Sequence, residues 1–266
     1  MVCEVYAVHR GRCGRRTPRL VRVIPVVFIP SPPLLLPSLN PHPLAIHDRL
    51  RDVVLEACKA LTSAEEVVVI GGPSVGQRPD HTGYPTGVTL YPPDLPGCED
   101  RFQGRPPGEG AELPLSLTVG RWALRAAGHP PEGSLTLALA AGSPAEIRTG
   151  LQSTDQVRLG PRSALLVVGD GTAGRHEKAP LHVVAGSAEL DDRLAMMLAD
   201  ADLGGIMRLP TELDIEFGLD GRSAWQAAAV LLAQSGAAVR SARLLDYSDP
   251  HHVAYFVARW DAELPV

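Results

Sequence analysis

Apolar positions along the chain fall into two alternating rhythms. Val23–Ile29, Glu66–Ile70, Ser134–Ala140 and Ala164–Val168 are short aliphatic runs bounded by proline, glycine or polar residues, the pattern of strands buried on both faces. Pro43 opens a segment in which Leu44, His47, Leu50, Val54, Cys58 and Leu61 recur at steps of three and four, as on one face of a helix. A second helix is predicted from Pro114 to a stop at Gly128, and Ser143-Pro144-Ala145-Glu146 is a capping box with proline at the first helical position. Helical patterns then occupy 187–200, 202–217 and 223–235, the last ended by Gly236. Ala238–Tyr247 and Val253–Trp260 read as two closing strands joined by the Ser248-Asp249-Pro250 turn. Strands alternating with helices predict an α/β fold, and the adjacent final strands add an antiparallel pair. The expectation is a three-layer α/β/α domain with a mixed, mostly parallel central sheet.

Residues 71–114 break the rhythm. Within 92–114 stand six prolines and four glycines, so this stretch is a Pro/Gly-rich insertion in a single domain over 23–266. Such a flap offers one further reading, a docking element for a protein partner. Residues 1–22 carry six arginines and one acid, and read as a disordered basic arm or a start placed too far upstream. The apolar run Val23–Leu36 follows Arg15-Arg16, but Pro25, Pro30, Pro32 and Pro33 break the helix that a secretory segment forms. No uninterrupted apolar stretch approaches the ~18 residues of a membrane span.

Charge and cysteine content narrow the function classes. The formal net charge of −5 becomes −10 over residues 23–266, which hold 19 basic and 29 acidic groups. An acidic body repels phosphate backbones, which argues against nucleic acid as the main partner. The four cysteines, Cys3, Cys13, Cys58 and Cys98, show no paired spacing, so a reducing cytoplasmic setting is expected and Cys58 reads as a buried thiol.

Chemistry in open α/β sheets gathers in loops at the carboxyl ends of strands, here Pro30–Pro37, Gly71–Gly87 and Gly169–Pro180. Gly72-Pro73-Ser74-Val75-Gly76 fits a hydrolase elbow with Ser74 as nucleophile, and Asp249 with His251 or His252 would complete its order. The following Pro79, Gly83, Pro85 and Gly87 deny it the helix that such a turn needs. Gly169-Asp170-Gly171-Thr172-Ala173-Gly174-Arg175-His176 approaches a phosphate loop, yet Arg175 and His176 replace its Lys and Ser/Thr, and Asp170 sets a carboxylate where phosphates would lie. It reads as a tight turn. His251 and His252 would point to opposite faces of a strand, which leaves His81 and His176 as the histidine pair with metal-binding prospects. Trp225 reads as a core anchor at the start of an apolar helix.

Taken in order, these pieces resemble the class III extradiol ring-cleavage dioxygenase catalytic subunits, the LigB-like superfamily, and most of all its standalone branch in GC-rich bacteria. The resemblance spans about residues 23–262 and rests on Phe28-Ile29-Pro30-Ser31-Pro32-Pro33-Leu34, Val67-Val68-Val69-Ile70-Gly71-Gly72-Pro73 and Val167-Val168-Gly169-Asp170-Gly171-Thr172. It continues through Gly221-Arg222-Ser223-Ala224-Trp225-Gln226 and Val253-Ala254-Tyr255-Phe256-Val257-Ala258.

The resemblance implies non-haem Fe(II) held by two histidines and a carboxylate, with a further histidine moving protons. This chain departs from that pattern. The first-loop ligand position is Ser31, the second falls on Gly72 or Pro73, and the proton-shuttling position falls on Ala173 or Gly174. The carboxylate position falls near Leu219, beside Asp220. The expectation is a LigB-like domain without dioxygenase chemistry and without a cofactor. A cleft near Ser31, Gly72, Ser74, Asp170, Thr172, Arg175 and His176 is then expected to take a small anionic or aromatic ligand, with Arg175 pairing its charge. Two alternatives stand beside it: an Fe(II) dioxygenase with displaced ligands His81, His176 and Glu177 or Asp170, and a serine hydrolase using Ser74.

Overall fold

The structure, a computed structural model, describes residues 22–73, 85–97, 112–130 and 133–265. Its centre is formed by the four apolar runs, β1 (Arg22–Ile29), β2 (Glu66–Gly71), β4 (Ser134–Ala141) and β5 (Ser163–Val168), which pair in parallel. The sheet has seven described strands in the order β3-β4-β2-β5-β1-β7-β6. Its outer strands β3 (Gly87–Tyr91), β6 (Ala238–Ser248) and β7 (Tyr255–Leu264) run antiparallel to their neighbours. The fold is therefore the α/β/α sandwich with a mixed sheet that the pattern predicts.

Side-chain alternation sorts the core into two layers. Val27, Ile29, Val67, Val69, Leu166 and Val168 face α1 (Ala45–Cys58) and α2 (Leu115–Ala126), where Leu50, Val54, Cys58 and Leu117 complete the packing. Cys58 is wholly buried there, and burial pushes its thiol up to about 12. Val26, Phe28, Val68, Ile70 and Leu165 face the other way, against α3 (Pro144–Gln152), α4 (Ser187–Asp200), α5 (Leu203–Met207) and α7 (Arg222–Gln234). The predicted capping box opens α3: the Ser143 hydroxyl accepts from the Glu146 N–H and the Glu146 carboxylate accepts from the Ser143 N–H. Trp225 is 1% exposed, the core anchor expected.

Three sequence readings change. The 202–217 pattern is two short helices, α5 and α6 (Leu213–Glu216), because Pro210 lacks an N–H and disfavours helical backbone at Leu209. Strand β3 lies inside the stretch read as irregular. It is a five-residue edge strand, too short for its alternation to stand out between Pro85 and Pro92. His251 and His252 sit in the turn 249–254 before β7 and not on a strand, His252 with a φ of 60°. Free of strand alternation, the two rings diverge to separate partners. No described helix is long and apolar enough to cross a membrane.

Candidate functional site

The parallel strands β1, β2 and β5 end side by side, so the loops holding Ser31, Gly72 and Asp170 meet at one end of the sheet. Asp170 follows β5 and Ser31 follows β1, and the register pairs Ile29 with Val168. The Ser31 N–H donates to Asp170 Oδ1 at 2.6 Å and the Ser31 hydroxyl donates to Oδ2 at 3.2 Å. Burial pushes the Asp170 carboxyl up to about 6, and the two Ser31 donors hold it from rising further. Burial raises the Tyr255 phenol, and the Asp170 charge adds to the rise.

Glycine at two strand ends permits backbone to meet backbone. A methyl group at Gly72 would lie 2.0 Å from the Asp220 carbonyl oxygen, and one at Gly169 would lie 2.4 Å from the Gly221 Cα. The Gly221 N–H donates to the Asp170 carbonyl at 2.7 Å, which draws the start of α7 onto the same loops. Arg222, fully buried at that helix start, is held by Asp214, by the Gln226 side chain and by the Gly142 carbonyl. A cation at a helix N-terminus opposes the helix dipole, and the Asp214 carboxylate offsets it. The Gly221–Gln226 motif thus has a packing role.

Beside this strand-end cluster lies a second buried acid. Asp191 on α4 accepts the Thr172 N–H at 3.0 Å through Oδ1 and the Thr172 hydroxyl at 2.6 Å through Oδ2. Arg175 adds an ion pair at 3.4 Å, and it also pairs with Asp249 at 3.3 Å and donates to the Tyr247 hydroxyl at 2.7 Å. Burial raises the Asp191 carboxyl to about 6 against the Thr172 donors and Arg175, with Asp192 adding to the rise. Asp191 was missed in the sequence, although it stands among Ser187, Leu190, Leu194 and Leu198 on the buried stripe of α4, where an acid is itself a signal.

The remaining candidates do not join this cluster. His176 is exposed, stacks on His252 at 4.0 Å between ring centroids, and accepts the Lys178 N–H at Nδ1. Glu177 is exposed. Ser74 and His81 lie outside the described residues. Asp249, which the hydrolase order would need as its acid, is engaged by Arg175, and His251 meets His47 with Nε2 atoms 2.8 Å apart.

The donor set does not fit Fe(II) at the strand ends. An iron site of that class requires two imidazoles and a carboxylate around one point. Ser31 is committed to Asp170, Gly72 has no donor side chain, and the Ala173 N–H donates to the Phe217 carbonyl at 2.8 Å. Among the described residues, no three His, Cys, Asp or Glu side chains stand close enough to share an ion. Neither a family model nor a curated protein matches the chain.

Proposed function

We propose that this chain is a LigB-like, extradiol-dioxygenase-related domain that has lost iron-dependent ring cleavage and serves as a non-catalytic protein on an enzyme-like frame. The observation that supports it most is the Ser31–Asp170 clamp. At the strand end where the family resemblance puts an iron ligand, a hydroxyl and an amide grip a carboxylate that belongs to the protein itself. The neighbouring position, Gly72, is packed against the Asp220 carbonyl. Arg175, the side chain expected to pair with an anionic ligand, already faces Asp191 and Asp249, so charge pairing by Arg175 is not part of the proposal.

The test is iron reconstitution. Untagged protein incubated with Fe(II) without oxygen, then desalted, is expected to retain far less than one iron per chain and to show no oxygen uptake with a catechol. Stoichiometric iron together with catechol-dependent oxygen uptake overturns the proposal in favour of a displaced-ligand dioxygenase.

A further inference from the structure

His47 and His251 are 204 positions apart in the chain, yet their Nε2 atoms stand 2.8 Å apart. His47 lies in the first turn of α1 and is 8% exposed, whereas His251 is exposed in the turn before β7. Two neutral imidazoles make this bond only if one nitrogen carries hydrogen and the other a lone pair. The surroundings of His47 decide which. The Leu44 N–H donates to its Nδ1 at 3.3 Å, and the Asn40 amide nitrogen lies 3.2 Å from the same atom. The Asn40 amide cannot be turned over, because its NH2 also donates to the Leu34 carbonyl at 3.1 Å and a flip would set oxygen against oxygen. Nδ1 of His47 is therefore an acceptor, its proton is on Nε2, and it donates to His251.

The same reasoning weighs against a metal ion between the rings. Ligation through Nε2 of His47 would move its proton to Nδ1, against two donors. A hydrogen bond suits these neighbours, and a metal does not.

We infer that His47 and His251 form a proton-operated latch, closed while both rings are neutral, that ties the first loop and α1 to the turn before β7. An added proton has two places to go. On Nδ1 of His47 it would face Leu44 and Asn40, and on Nε2 of His251 it would face the His47 N–H. On His47 the two Nδ1 bonds are lost, and on His251, the exposed ring, donor opposes donor at Nε2 and the bond between the rings is lost. Burial, with the charges of His47 and His252, holds His251 below its ordinary 6.5.

Charged and titratable groups on the neighbouring elements do not compensate. On α1, Asp48 pairs with Arg51 at 3.4 Å, and Arg51 also donates to the Leu34 and Leu35 carbonyls. In the turn, Asp249 is engaged by Arg175, and His252 stacks on His176 of the loop after β5. What the latch spans is the clamp region itself. Ala254 exchanges backbone bonds with Gly171 and Thr172 on one side, and Ser31 grips Asp170 on the other. The inference does not rest on the family reading.

Nitrogen NMR of the full chain with labelled histidine tests the tautomer, and amide exchange tests the latch. His47 is expected to carry hydrogen on Nε2, and His251 to titrate below its ordinary value. Protection of segments 34–47 and 249–254, corrected for intrinsic exchange, is expected to fall together by about tenfold between about pH 7.5 and about pH 5. His47→Gln and His251→Gln should each remove that pH dependence, which separates the latch from protonation of Asp170 and Asp191. A His47 proton found on Nδ1, or His251 titrating at its ordinary value, overturns the inference, as does a pH response that survives in both variants. So does stoichiometric Zn(II) binding that displaces the His47 proton. Should neither variant fold, the wild-type titration decides.

Discussion

Asp170 and Asp191 occupy neighbouring sites built on one plan. In each, a single Ser or Thr offers its backbone N–H to Oδ1 and its hydroxyl to Oδ2 of a carboxylate withdrawn from water. They differ in charge. Among the described residues, Asp170 has the neutral donors of Ser31, while Asp191 also faces Arg175. Yet both carboxyls rise to about 6. A guanidinium 3.4 Å away, shared with Asp249 and Tyr247, and a like charge on Asp192 leave Asp191 little better compensated than Asp170.

Three substitutions break or sharpen this comparison. Asp191→Ala should have the largest effect. It leaves two buried Thr172 donors without an acceptor and takes one anion from Arg175, a loss of about 3 kcal/mol in urea unfolding. A loss under about 1 kcal/mol would show that the Arg175 pair and the Thr172 clamp contribute little.

Asp170→Asn should act in the opposite direction at neutral pH. The folded carboxyl titrates near 6 and the unfolded one near 3.8, so the folded chain holds the extra proton between those values. Stability from this group is full below the unfolded value and is lost as pH rises through the folded one. Asparagine keeps an acceptor for the Ser31 N–H and cannot ionise, so it should stabilise by about 1–2 kcal/mol above pH 7 and flatten the acid limb of the stability profile. An unchanged profile between pH 4 and 6 would place that titration elsewhere, Asp191 being the first alternative. The histidine latch has the reverse sign, since a depressed imidazole loses its contribution as pH falls.

Ser31→Ala should have the smallest effect. It removes the hydroxyl donor and leaves the N–H, so the Asp170 carboxyl should climb above its present value at a stability cost of about 1 kcal/mol. Carbonyl-carbon NMR of Asp170 across the titration reads the shift, and a downward shift contradicts the clamp.

Much of this architecture is legible along the chain. The β1, β2, β4 and β5 runs are apolar on both faces, and the Ser143–Glu146 box needs only its own four residues. Three positions at the carboxyl ends of the strands, Ser31, Gly72 and Asp170, do meet as their strand order in the sequence suggests. Asp191 and His47 are a different case. Each sits on the buried stripe of a helix, which marks it as unusual, but the partner of each comes from another element. His176 and Arg175 show the converse: adjacent in sequence, one faces solvent and the other is drawn into the Asp191 network.

By itself, the sequence determined the four central strands, the closing strand pair and the longer helices, because local backbone preference and apolar content settle those within a few residues, whereas the short β3, α5 and α6 escaped it. Only the tertiary structure decided that Ser31 grips Asp170, 139 positions away, and that His47 meets His251. Those bonds depend on β5 lying beside β1 and β7 on its other side, an order set by how two helical layers cover one sheet. A hydroxyl or an imidazole has no periodicity from which its partner can be read.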